Sequence, residues 1–198
     1  MNRMKTIITV TALCLAAVCV LGGEKEDGVY VEPKTGVMFP LVLGGMAKGK
    51  ATTYKEASLG VSIKYSGTNG IVADVYLYDG GLTSIPAGTN SATVKDELKK
   101  SSSSITAMEK AGLYKGVKEL GEVQRGVGSG AGGRRMIGMS LEYTITREGE
   151  DGQAVLSHLY IVGYKGLFLK IRATFPKANR ESCEKSLESF LNDLGNLL

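Results

Sequence analysis

Apolar and polar residues alternate along much of the chain, which is the pattern of strands that bury one face. The first two alternating runs cover residues 59–65 and 71–78. Residues 67–70 separate them with the sequence Gly-Thr-Asn-Gly, whose Asn-Gly step suits the positive φ angles of a tight turn. We therefore predict an antiparallel strand pair here.

A helical period follows between residues 91 and 111. Its apolar positions recur at three-, four- and seven-residue steps and are Val94, Leu98, Ile105 and Met108. Ser91 or Thr93 can cap the start of this helix, and Gly112 ends it.

The period returns to two after the helix. Four further runs are predicted strands: residues 117–124, 137–145, 154–164 and 167–175. Asn179 then caps a final helix, whose apolar residues form one stripe: Cys183, Leu187, Phe190, Leu191 and Leu194.

Short connections join the later strands. They are the glycine-rich residues 126–133, a turn at 148–152 and the Lys165-Gly166 turn. Strands joined by so few residues must be antiparallel, because a parallel crossover needs a dozen residues or more. The order predicts an α+β fold, an antiparallel sheet with helices packed on it. The residues before this first strand pair, from 24 on, are broken by Pro33, Gly36, Pro40 and the pair Gly44-Gly45 and are predicted to be irregular.

The first 23 residues have the order of a secretory signal peptide. Arg3 and Lys5 give a basic start, residues 7–21 are uncharged and mostly apolar, and Gly22-Gly23 offers small side chains for cleavage. The apolar run is shorter than the roughly 20 residues that span a bilayer. We predict cleavage near Gly22 or Gly23, no membrane span afterwards, and a single α+β domain over residues 24–198.

A lipid anchor on Cys19 is the alternative form of processing. Lipoprotein signals usually carry Leu three places before the cysteine and a small residue directly before it. Here Leu15 lies one place too early and Val18 is a poor match, so the sequence favours simple cleavage. Either route exports the protein, to the periplasm or the medium.

Composition excludes several classes of function. Removal of Arg3 and Lys5 leaves 22 basic and 20 acidic residues, a net charge of +2, so no nucleic-acid-binding face is expected. Only Cys183 is certain to remain after cleavage, and one cysteine cannot form an internal disulfide or a cysteine metal site. Because it lies on the apolar stripe, we predict a core side chain.

His158 is the only histidine of the chain. Neighbouring strand residues point to opposite faces, so Ser157 cannot reach its ring as a nucleophile. We predict a structural histidine, no metal site and no cofactor. A distant serine or a carboxylate cluster beside His158 in a concave pocket would favour an enzyme instead.

Residues 126–133 contain a formal G-x-G-x-x-G pattern, directly followed by Arg134 and Arg135. A dinucleotide site needs a helix after the glycines, whereas the following residues alternate like a strand, so we predict an inter-strand loop. Glycine amides beside Arg134 and Arg135 could bind a phosphate or carboxylate. The other reading is solvated charge at a strand start.

Lys170 and Arg172 share one strand face with Phe168. This cationic, partly aromatic face could bind an anionic partner, or the aliphatic parts of both side chains could cover a helix while their charges reach water. The acidic turn at residues 148–152 lacks the spaced ligands of a calcium loop.

The element order over residues 55–198 resembles the PsbP-like fold, most clearly in LYIVGYKGLFLKIRATFPKANRESCEKSLESFL. The stretch FPLVLGGMAKGKATTYKEASLGVSIKY is similar to the opening of secreted bacterial proteins described only as hypothetical. The resemblance implies an α/β/α sandwich and a binding or accessory role, and it brings no catalytic motif. We therefore predict an exported, non-enzymatic binding or accessory protein of the bacterial cell envelope, whose partner is an unknown protein. The alternative is a small-anion-binding protein that uses a basic pocket or residues 126–135.

Overall fold

The structure is a computed structural model that describes residues 28–128, 133–147 and 150–198. Its strands and helices are, in chain order, β1 (Tyr30–Val31), β2 (Met38–Phe39), β3 (Val42–Leu43), β4 (Met46–Thr53), β5 (Val61–Ser66), β6 (Val72–Tyr78), α1 (Ala92–Lys110), β7 (Tyr114–Val127), β8 (Arg134–Arg147), β9 (Glu150–Tyr164), β10 (Leu167–Pro176) and α2 (Arg180–Leu197).

Eight strands form one antiparallel sheet in the order β3-β4-β5-β6-β10-β9-β8-β7, and β1 pairs with β2 separately. The last strand, β10, lies in the centre, where Ala173 faces Ala73 of β6 and His158 of β9. It therefore joins the early hairpin to the later meander. The predicted antiparallel α+β fold is confirmed.

The two helices cover opposite faces of the sheet. Phe190 of α2 packs against Tyr65 of β5, with 5.3 Å between ring centroids. Leu98 of α1 instead belongs to a core cluster with Ile161 and Phe168. Successive side chains of each strand point to opposite faces of the sheet and so contribute to both cores. This arrangement is the α/β/α sandwich predicted from the resemblance.

The start of α1 matches its sequence signal. Ser91 is the N-cap residue, and its hydroxyl accepts a hydrogen bond from the Val94 amide at 3.2 Å. Gly112, just past the end, has a φ of +77°, a conformation that glycine adopts without strain.

The apolar stripe of α2 is buried as predicted. Asn179 holds the N-cap position, but its side chain makes no capping bond. Its amide donates to the main-chain oxygen of Asn69 at 2.8 Å instead. The first turn of α2 is thereby fastened to the β5–β6 turn, because the side chain bonds a neighbouring loop and not its own helix.

The sequence prediction was wrong in two regions. The stretch read as irregular contains β4, which shows no clear alternation because the register shifts between Lys48 and Ala51. The predicted turn at residues 148–152 is partly strand, since β9 begins at Glu150; residues 148 and 149 lie outside the described part. Among described residues, we find no helix with the length and apolarity required to cross a bilayer.

Candidate functional site

A concavity of about 470 Å³ opens where β8 begins and β9 ends. Three segments line it: residues 87–90 before α1, Arg134 and Arg135, and residues 162–165. Two of the four predicted ligand-binding residues therefore meet here, together with Lys165, which the sequence analysis did not single out.

Close backbone contact fixes one wall of the concavity. Gly88 and Gly163 exchange two main-chain hydrogen bonds of 2.9 Å. A Cβ on Gly163 would lie 1.8 Å from the carbonyl oxygen of Pro86, a distance that no side chain allows. Glycine at 163 thus lets the loop before α1 lie directly on β9.

Lys165 occupies the tight turn between β9 and β10. Its φ is +47° and that of Gly166 is +79°, the combination that a two-residue hairpin turn needs. Among described non-glycine residues, Lys165 is the one with positive φ, a conformation that costs free energy. Its ammonium donates to the Thr35 carbonyl at 2.8 Å and lies 5.2 Å from the Tyr164 ring centroid, so the side chain is held at the concavity.

Arg134 is tied to the end of α2. Its Nη2 donates to the main-chain oxygen of Leu198 at 2.9 Å, and the Tyr164 hydroxyl donates to the same oxygen at 2.8 Å. The guanidinium also lies over the Tyr164 ring, 4.8 Å from its centroid. A cation at a helix C-terminus is favourable because the carbonyls there carry partial negative charge. Arg134 therefore anchors α2 as well as lining the concavity.

Arg135 follows Arg134 in β8 and also lines the concavity. Its side chain is exposed, and it contacts Gln124 Oε1 at 3.5 Å, which is long for a hydrogen bond. Of the three cations, Arg135 makes the weakest contact with the rest of the protein.

The glycine-rich tract contacts α2 through Gly128, at its described N-terminal end. The Gly128 amide donates to Leu191 O at 3.2 Å, and a Cβ on Gly195 would lie 2.0 Å from the Gly128 nitrogen. A strand, β8, follows the tract, as the sequence predicted, and not the helix of a dinucleotide site. The predicted loop itself falls on residues 129–132, which lie outside the described part.

Lys170 and Arg172 lie elsewhere, between the sheet and α1. The Lys170 ammonium sits 5.0 Å from the Tyr76 ring centroid and 4.8 Å from that of Tyr78, and it contacts Ser101 Oγ at 3.4 Å. This is cation–π packing under a helix. The two residues share a face, as predicted, but they do not join the concavity.

Arg172 is held by two stacked tyrosines. Its Nη2 donates to the Tyr143 hydroxyl at 2.7 Å and to the Tyr114 hydroxyl at 3.1 Å, and its Nε is buried without a partner. Desolvation lowers the pKa of Arg172. Tyr143 and Tyr114 raise this pKa by more than desolvation lowers it, so the net shift is upward. The guanidinium stays charged inside the fold, and a ligand role for Lys170 and Arg172 remains a prediction.

Ser140 lies beside His158, a contact that the sequence analysis missed. Ser140 Oγ is 2.7 Å from His158 Nδ1, and the imidazole packs 5.4 Å from the Phe175 ring. The register of the β8–β9 hairpin pairs Ser140 with His158. Knowing the exact position of the turn between these strands would have been enough to predict this pair from the sequence. Neither residue lines the concavity, and the packing fits the predicted structural role of His158.

The described residues contain no group of three or more His, Cys, Asp and Glu side chains placed to hold a metal ion. The acidic turn at 148–152 lies partly outside the described part. No metal-binding arrangement therefore adds to the concavity within the described ranges.

The chain was compared with protein families, curated sequences and solved structures. No family model matches the chain, and no curated protein matches it in sequence. A solution structure of cyanobacterial PsbP (CyanoP) from Synechocystis sp. PCC 6803 is similar, with 12% sequence identity and a TM-score of 0.42. The match covers 88% of this chain and 98% of that one. This match transfers no residue role to the chain.

Proposed function

We propose that the protein is an exported, non-enzymatic binding protein that holds a small carboxylate or phosphate in the concavity. The observation that carries the proposal is convergence: Arg134, Arg135 and Lys165 come from two elements to one opening. Guanidinium and ammonium groups are the donors that bind such oxyanions most strongly.

The lining is chemically matched to an anion. Besides the three cations it offers the Thr89 and Asn90 side chains, and no Asp or Glu occurs among the described lining residues. A negatively charged ligand would therefore meet attraction without an opposing carboxylate. The concavity also lies within the size range of small-molecule sites.

Binding fits this site better than catalysis. The described lining holds no His, Cys, Asp or Glu. Lys165 and Tyr164, which could also act as acids or bases, already donate to Thr35 O and Leu198 O. The Ser140–His158 pair lies outside it, and Ser140 is buried. The signal-like residues 1–23 support the exported part of the proposal.

The three cations have different roles in binding the anion. Arg135 has the weakest contact with the rest of the fold, so it is the principal ligand-binding residue. Lys165 contributes a charge already fixed by Thr35. Arg134 keeps its bond to Leu198 and adds its remaining N–H donors.

Phosphate titration tests the proposal, with the melting temperature and calorimetric heat as readouts. We expect phosphate to raise the melting temperature of the parent, because a ligand that binds only the folded state stabilises it. Arg135→Ala/Lys165→Ala should abolish this response. Each lost charge-assisted hydrogen bond weakens binding by roughly 1.5–3 kcal/mol.

A matched control is Arg180→Ala/Lys185→Ala, which removes the same charge from exposed ion pairs of α2. This variant should respond to phosphate as the parent does. If both double variants lose the response equally, the response depends on net charge and not on this site. If the parent responds neither to phosphate nor to a dicarboxylate, the proposed site is refuted.

A further inference from the structure

Three large apolar side chains are exposed together at one end of the sheet. Met38, Leu41 and Val42 have exposed fractions of 61%, 52% and 59%, although their neighbours Phe39 and Leu43 are buried. We call these three residues the apolar tip. Large exposed apolar side chains that lie this close in sequence are candidates for contact with a partner or a membrane.

Part of the tip belongs to the edge of the eight-stranded sheet. β3, which contains Val42, is the last strand on that side and pairs with β4, whereas Met38 lies in β2, which pairs with β1. The Gly44 amide between the two strands bonds to Asp193 of α2 at 2.9 Å. The hairpin is thus fixed to the body of the protein while its apolar side chains face outward.

Lysines occur close to the tip. Residues 33–55 contain four lysines between Glu32 and Glu56, and one of them, Lys34, is paired with Asp79 at 3.0 Å. The Lys48 amide bonds to Leu41 O at 2.7 Å, which places Lys48 directly beside the tip, and Lys50 follows on the same strand. Apolar side chains flanked by lysines are the combination that interfacial membrane-binding segments use.

The N-terminal part of the chain is attached at the same place. Gly28, the first described residue, lies against Leu41: a Cβ on Gly28 would be 2.5 Å from Leu41 Cδ2.

We propose that the apolar tip docks on an anionic lipid surface. Met38, Leu41 and Val42 insert at the boundary between headgroups and acyl chains, and Lys48 and Lys50 face the anionic headgroups. Lysines near such a surface are attracted to it, and salt screens this attraction. The hairpin binds reversibly, because its buried apolar area is far below that of a spanning helix.

Vesicle flotation of the processed full-length protein tests this docking. The vesicles contain phosphatidylglycerol with phosphatidylethanolamine, or phosphatidylcholine alone. We expect binding to the anionic vesicles, weakened by salt, and at least tenfold weaker binding of Met38→Ser/Leu41→Ser/Val42→Ser. Because these side chains are exposed, the triple variant should keep the parent melting temperature.

A matched control uses the opposite end of the sheet. Leu113 and Leu120, beside and within β7, are 46% and 53% exposed, and Leu113→Ser/Leu120→Ser should bind vesicles as the parent does. Equal losses in both variants, undiminished binding of the triple variant, or no parent binding would overturn the proposal. So would a concentration-dependent dimer that the triple variant abolishes, since the tip would then contact a second copy.

Discussion

Ser140 and His158 lie opposite each other on β8 and β9, with 2.7 Å between Ser140 Oγ and His158 Nδ1. Burial lowers the pKa of His158; Glu184 raises it, and Arg125 and Arg180 lower it again, with a net downward shift. The native state therefore favours the neutral imidazole, which can accept the serine proton in a hydrogen bond.

This burial makes stability depend on pH. The unfolded chain protonates His158 near the ordinary value of about 6.5, whereas the folded protein resists protonation. The contribution is fully present above that value and is lost as pH falls through it. We expect the unfolding free energy of His158→Gln to fall less than that of the parent between pH 7.5 and 5, measured by urea denaturation.

Ser140→Ala serves as the control for that experiment. It removes the hydrogen bond but leaves the histidine buried, and burial is the largest cause of the shift. Its pH dependence should stay close to that of the parent. Identical slopes for the parent and His158→Gln would assign the acid sensitivity to other groups.

Cys183 should react as a core thiol. Its side chain is fully buried, and its Sγ lies 3.6 Å from Asn69 O. Burial raises the pKa of the thiol, which reduces the reactive thiolate. We expect slow modification by thiol reagents in the native state and rapid modification in denaturant. Cys183→Ala should cost about 1 kcal/mol, and fast native labelling would contradict this assignment.

Gly163→Ala should open one wall of the concavity. The new methyl group would collide with Pro86 O, so the loop before α1 must move away from β9. We expect a loss of about 1–3 kcal/mol in unfolding free energy and weaker phosphate binding. Gly126→Ala is the matched control, because a Cβ there meets no atom within 4 Å. Equal stability of the two variants would show that the loop does not need this contact.

Processing near Gly22 or Gly23 remains a prediction of the sequence. Small residues follow an apolar run too short to span comfortably, so protein recovered from the envelope or medium should start close to residue 23 or 24. Intact-mass measurement decides the point. A mass that includes Met1, or a lipid on Cys19, would contradict it.

The sequence determined which side chains enter the two cores. Ile171 and Phe175 of β10 are buried on the side of α2, and Phe168 packs on the side of α1, as alternation predicted. The stripe of α2 and the Ser91 cap of α1 were equally readable. Each of these signals depends on residues close in sequence, so local periodicity and capping chemistry suffice to detect it.

Only the tertiary structure decided where the cations go. Arg134 and Arg172 both read as exposed charge on strands, yet one contacts the end of α2 and the other is enclosed by Tyr114 and Tyr143. Lys165 read as a turn residue, and the fold places it in the concavity. Strand register and helix placement decide which distant residues become neighbours of these cations. A pattern among residues close in sequence cannot predict contacts between residues that far apart in the chain.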